Sequence, residues 1–235
     1  MKKCLIFYIF CLFIINAFGQ VYIYNINPQN KEWKEFKTEE ERLLALQIPI
    51  YILNNISKDD LIISCINFPA FGHYTAFNSN QKGFDYVYKN FNGLQELFNR
   101  EDAGEKVLNI YSKLSIYNFQ INKFGIDTTF TTIRYNFFEL IIAQEKIIKQ
   151  LSNEQKTKLI EIALQNYKNK LNSKSFNSLI CITPTVLIIG RTLNILKPNI
   201  FDKKEYILNF LITSELFDAN LLEIIIKEAI NNQKL

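Results

Sequence analysis

Apolar side chains recur at a helical period through nearly all of the chain after residue 38, and this period decides the fold class. Between Glu154 and Leu171 they fall at Leu159, Ile160, Ala163, Leu164, Tyr167 and Leu171, the stripe of an amphipathic helix, where a strand would alternate. The same spacing returns at Ile133, Phe137, Leu140, Ile141 and Ile148, at Tyr206, Ile207, Phe210 and Leu211, and at Leu222, Ile225, Ile226, Ala229 and Ile230. Helix-start signals agree: Thr38 with Glu41, Ser57 with Asp60, Ser152 with Gln155 and Asp202 with Glu205 each set a capping side chain three residues before a polar partner. Pro49, Pro69 and Pro198 fall between apolar runs, while Thr183 and Pro184 read as an N-cap and first helical residue that split one apolar helix in two. The expectation is an all-α chain of about ten helices, paired as antiparallel hairpins in a bundle or a short α-solenoid-like array. No fixed repeat period singles out the solenoid.

Residues 1–19 depart from this pattern. Lys2 and Lys3 precede an unbroken apolar run from Cys4 to Ile15, and small residues stand at Ala17 and Gly19, which reads as a cleavable signal peptide cut near Gly19. The run is shorter than the roughly 20 apolar residues that a spanning helix needs, which argues against an uncleaved anchor. The expected product is exported, either periplasmic or secreted. Cleavage removes two of the 27 basic side chains and none of the 23 acidic ones, so the mature chain is nearly neutral and no nucleic-acid partner is expected. Leu179 to Gly190, the most apolar stretch that remains, is too short to span, so the mature chain is expected to have no transmembrane segment.

The mature chain divides by texture into an arm at 20–37, an aromatic-rich part with short helices at 38–118, and a part with longer helices at 127–231, together one composite domain. In the arm, Val21 to Ile26 alternates like a short strand, Pro28 ends it, and Trp33 is expected to pack on the helices. The weakest helical stretch, 117–132, holds Gly125 and reads as a linker.

The runs EERLLALQIP at 40–49, LIISCINFPAFGHYTAFN at 61–78 and GFDYVYKNFNGLQELFNREDAG at 83–104 resemble a group of uncharacterised exported all-helical proteins from gut and environmental bacteria. The resemblance covers the first half of the mature chain and implies an exported helical fold. It carries no active-site motif, so it implies no function and no residue roles.

Few residues offer chemistry. His73 is the only histidine, and its neighbours in sequence include Ser64 and Cys65, but no nucleophile elbow accompanies it. Asp85, Glu96 and Asp102 are candidate carboxylates for glycan hydrolysis, whereas Glu139, Glu145 and Glu161 read as solvated helix faces. Around Asn92 and Gly93 a turn is expected to lead into a helix at 94–99, with Arg100 pairing to Asp102 near the next helix start. His73, Tyr74, Asn78, Arg100 and Asp102 are the candidate binding residues, beside aromatics crowded between Phe68 and Phe98. Cys65 and Cys181 are the two cysteines beyond the signal peptide; they either form a disulfide or sit as free buried thiols. Two thiols and one imidazole are too few for a zinc site, and the six glycines beyond Gly19 form no phosphate-cradling loop, so neither metal nor other cofactor is expected. The leading reading is a non-enzymatic module that binds another protein or an extended peptide. A carboxylate-dependent glycan hydrolase of the envelope or medium is the alternative, and a carrier of small apolar ligands the second.

Overall fold

A computed structural model describes residues 20–119, 125–127, 130–216 and 218–233, and the expected signal peptide lies outside them. The described chain is all-α. A 3-10 turn at Glu32–Lys34 precedes α1 (Glu39–Ala45), α2 (Ile50–Leu53) and α3 (Lys58–Ile66). A second 3-10 helix, Phe71–Ala76, leads to α4 (Asn80–Asn90), α5 (Asn92–Asn99) and α6 (Ala103–Lys113). The longer elements follow: α7 (Thr131–Ile142), the short α8 (Glu145–Ile148), α9 (Asn153–Leu171), α10 (Leu179–Leu196), α11 (Glu205–Thr213) and α12 (Asn220–Gln233).

Three of the four start signals act as expected. Thr38 and Ser152 each close a full capping box, with Glu41 and Gln155 reaching back to the cap's own amide. Ser57 accepts from the Asp60 amide. Asp202 does not cap α11; the left-handed residues Asn199 and Lys203 turn the chain there, and the helix starts behind Lys204 with no side-chain cap.

Pro184 does not split α10. The helix runs through it from Ser178, because Pro184 falls in its second turn and the carbonyl it leaves unbonded belongs to Ile180, which is 70% exposed and open to water. Thr183 satisfies the neighbouring carbonyl of Leu179 with its own hydroxyl at 2.7 Å. The undivided helix of 18 residues, mean hydropathy 1.8, is therefore long and apolar enough to cross a membrane by length and composition, correcting the shorter reading; 72% of it is buried among its neighbours.

Helices α9 and α10 share the most extensive contact and are joined by the short segment 172–178, which makes them an antiparallel hairpin. Helix α10 also packs on α7, α11 and α12, while α7 meets α3, α4, α6, α8 and the second 3-10 helix. A solenoid element touches only its sequence neighbours. Here α7 touches elements from both halves, so the arrangement is a bundle built around α7 and α10. One contiguous apolar core runs from Leu43 to Ala229. The expected linker is part of it: Phe119 and Ile126 are buried, and the Asn67 side chain binds the Gly125 carbonyl at 2.7 Å and the Asp127 amide at 2.9 Å.

Residues 20–37 form an ordered arm without a strand. Exposure alternates from Tyr22 to Ile26, with Ile23 and Asn25 outward, and the chain bends at Asn25. The Tyr22 amide donates to Ser64 Oγ at 2.8 Å and the Tyr24 hydroxyl to the Ser64 carbonyl at 3.0 Å, pinning the arm to α3. Trp33 packs against Phe36 and lies under the Arg42 guanidinium, 5.5 Å from its ring centre.

Candidate functional site

The five candidate binding residues do not converge. Tyr74 is in the core, stacked on Phe137, with its hydroxyl donated to the Ile133 carbonyl at 3.2 Å, so it offers nothing to a ligand. His73 Nδ1 lies 3.0 Å from a Glu39 carboxylate oxygen at the surface, beside Tyr86. Asn78 is exposed in the loop before α4. Arg100 and Asp102 do not pair with one another. Arg100 donates to the carbonyls of Leu53 and Ile56, both at 2.8 Å, and to Glu96 at 2.9 Å, bracing the turn after α2, while Asp102 pairs with Lys58. The hydrogen bond from Lys58 holds the Asp102 carboxyl below its ordinary value.

Cys65 and Cys181 are both buried and both free, each within its own helix, so the possible disulfide is not formed. Burial pushes the Cys65 thiol far above its ordinary value, which leaves it inert as a nucleophile for His73.

A concavity lies elsewhere on the described chain. A groove of about 740 Å³ runs between the arm and the bundle, walled by Val21, Ile23, Pro69, Phe71, Phe130 and Arg134. Phe130 is the N-cap of α7, left-handed at φ 55, and its ring is 65% exposed. A bulky side chain at positive φ is strained, and strain of this kind gathers at functional sites. The floor is set by Arg134, which donates to the Ile66 carbonyl at 2.7 Å and to Asp127 at 2.9 Å and lies 4.2 Å over the Phe71 ring. A smaller depression of about 360 Å³ brings together Asp85, Glu145, Tyr88 and Phe98 at the edge of the buried Arg191. Of the candidate carboxylates Asp85 alone reaches it; Glu96 and Asp102 are engaged with Arg100 and Lys58.

A polar cluster in the core corrects the reading of Glu139 as a solvated face. Glu139 and Lys170 are both fully buried, and Lys170 Nζ lies 2.5 Å from Glu139 Oε2. The ammonium also donates to Asn136 Oδ1 at 3.2 Å and to the Cys181 carbonyl at 2.6 Å, one turn before Pro184. The carboxylate accepts from Tyr111 at 2.8 Å and from Thr185 at 2.8 and 3.0 Å. Burial pulls the Lys170 ammonium below its ordinary value, opposed by Glu139, and pushes the Tyr111 hydroxyl up. Lys170 lies three residues after Tyr167 and seven after Ala163, a spacing that places it on the buried face of α9.

Compared with known protein families, curated proteins and solved structures, the chain matches none. The groove and the cluster are read from their own residues.

Proposed function

We propose that the chain, exported and freed of its signal peptide near Gly19, is a non-enzymatic binding module that holds an extended peptide, or an extended segment of another protein, in the groove beside its arm. The observation that carries this reading is the arm's backbone. Val21 to Tyr24 line the groove without helix or bend, and the main-chain groups of Val21, Ile23 and Tyr24 have no backbone partner among the described residues. Such an edge is a template for a peptide that pairs alongside it, with main-chain bonds for affinity and apolar walls for side-chain selection. The strained, exposed Phe130 ring supplies the opposite wall.

Titration of the mature chain into a panel of fluorescent extended peptides rich in apolar and aromatic residues tests this. Binding in the range of about 1–100 μM is expected, weakened about tenfold or more by Ile23→Asp or Phe130→Asp. Equal binding by both variants, or none tighter than about 1 mM, contradicts the reading. The carboxylate hydrolase remains the second reading because Asp85 and Glu145 share a depression with Tyr88 and Phe98. Cleavage of envelope glycan that Asp85→Asn abolishes would favour it over the binding module.

A further inference from the structure

Asn136 and Glu139 stand one turn apart on α7 and meet the end of Lys170 from α9 in the core. The three residues are 1%, 0% and 0% exposed. The Lys170 nitrogen touches the Asn136 amide oxygen at 3.2 Å, one bond from the amide carbon, and Glu139 at 2.5 Å. We propose that this is a self-modifying site, in which Lys170 Nζ becomes joined to Asn136 Cγ in an intramolecular isopeptide bond with Glu139 carrying the proton.

The surroundings supply a proton carrier, a dry pocket and a nucleophile for that reaction. Tyr111 and Thr185 fix the Glu139 carboxylate against the amine. The rings of Tyr135 and Phe176 stand 5.1 and 5.9 Å from Nζ and help to exclude water. Burial favours the neutral amine, which is the nucleophile. An unactivated amide is a poor electrophile in water, but a well-oriented amine and amide held together reach effective concentrations of up to about 10⁵–10⁸ M.

In the step, the Lys170 ammonium gives one proton to Glu139. The neutral Nζ attacks Cγ of Asn136, and as the C–N bond forms Nζ loses a second proton while Nδ2 gains one. The Cγ–Nδ2 bond then breaks, and ammonia leaves with the proton that Glu139 held, as ammonium. One amide replaces another, Glu139 returns to its carboxylate, nothing is oxidised or reduced, and no co-reactant is used. The product ties α7 to α9 across 34 residues of sequence.

A tryptic map of the purified full chain by tandem mass spectrometry tests the proposal. The expected result is the peptide 135–146 joined to the peptide 169–174, uncut at Lys170, at a mass lower than their sum by one ammonia. Glu139→Gln is expected to lower the linked fraction about tenfold or more over the same time. Recovery of both wild-type peptides free, with Lys170 cut by trypsin, overturns the proposal. So does a link through Glu139 with loss of one water. Full linkage in Glu139→Gln overturns the role of Glu139. The wild-type map decides the bond itself even where the variant does not fold.

Discussion

At Glu139 a fully buried carboxylate faces a fully buried ammonium. Removing its carboxylate in Glu139→Ala leaves the fully buried Lys170 ammonium without its charge partner, and a broken buried pair costs about 3–5 kcal/mol. Urea unfolding measures this, and a loss under about 1 kcal/mol would refute the assigned role. Gly83→Ala is the packing counterpart. Its added methyl would collide with the Tyr74 backbone carbonyl, and destabilisation of about 1–3 kcal/mol is expected from the same measurement. The buried groups also set an alkaline limit. Burial raises Tyr74, Tyr111 and Tyr135 above their ordinary value of 10.0 and Cys65 above 9.0. Above those values the unfolded chain releases protons that the native chain keeps, so the native state binds more protons and stability falls as pH rises. Arg134 and Arg191, both lowered from 12.5 to about 10, act in the opposite direction, as does Lys170 wherever it is not yet joined to Asn136, but Tyr24 is raised as well, so the phenols and the thiol outnumber the bases. The urea midpoint is therefore expected to drop between about pH 8 and about pH 10.5, and a flat or rising midpoint contradicts this assignment. In the sequence, Lys170 stands beside a stripe whose apolar spacing ends on Leu171, which the structure leaves 47% exposed, and Glu139 carries no mark of burial, because its partner comes from a helix that sequence spacing does not locate.

At the scale of elements, caps and anchors control local order. Thr38→Ala removes one half of a capping box and is expected to cost about 1 kcal/mol, with fraying of α1 visible in amide exchange; unchanged exchange in α1 would count against the cap. Ser64→Ala frees the Tyr22 amide and is expected to raise the rate of proteolytic nicking within 20–37 while leaving the core intact. An unaltered nicking rate would mean that Tyr24 and its aromatic neighbours hold the arm without Ser64. Helix existence was legible because the period of the apolar residues is local, and so were the caps at Thr38, Ser57 and Ser152. Asp202 and Pro184 were misread for tertiary reasons. Left-handed turns at Asn199 and Lys203 displace the start of α11, and an exposed first turn lets α10 absorb a proline. The strand-like arm was half legible: its alternation is real, but no ladder partner accompanies it among the described residues.

For the whole molecule, one core joins both textural parts, with α7 packing on elements that precede and follow it. The groove lies where the arm crosses that bundle, and neither Ile23 nor Phe130 had a sequence signal, since a groove wall is defined by residues far apart in the chain. The measurement that bears most directly on the proposed function is hydrogen–deuterium exchange of residues 20–235 with and without a bound extended peptide. The account predicts slowed exchange at the amides of Val21 to Tyr24, with the rest of the bundle unchanged. Protection confined to the surface around His73, Tyr88 or Glu145, with the arm exchanging as before, would contradict it.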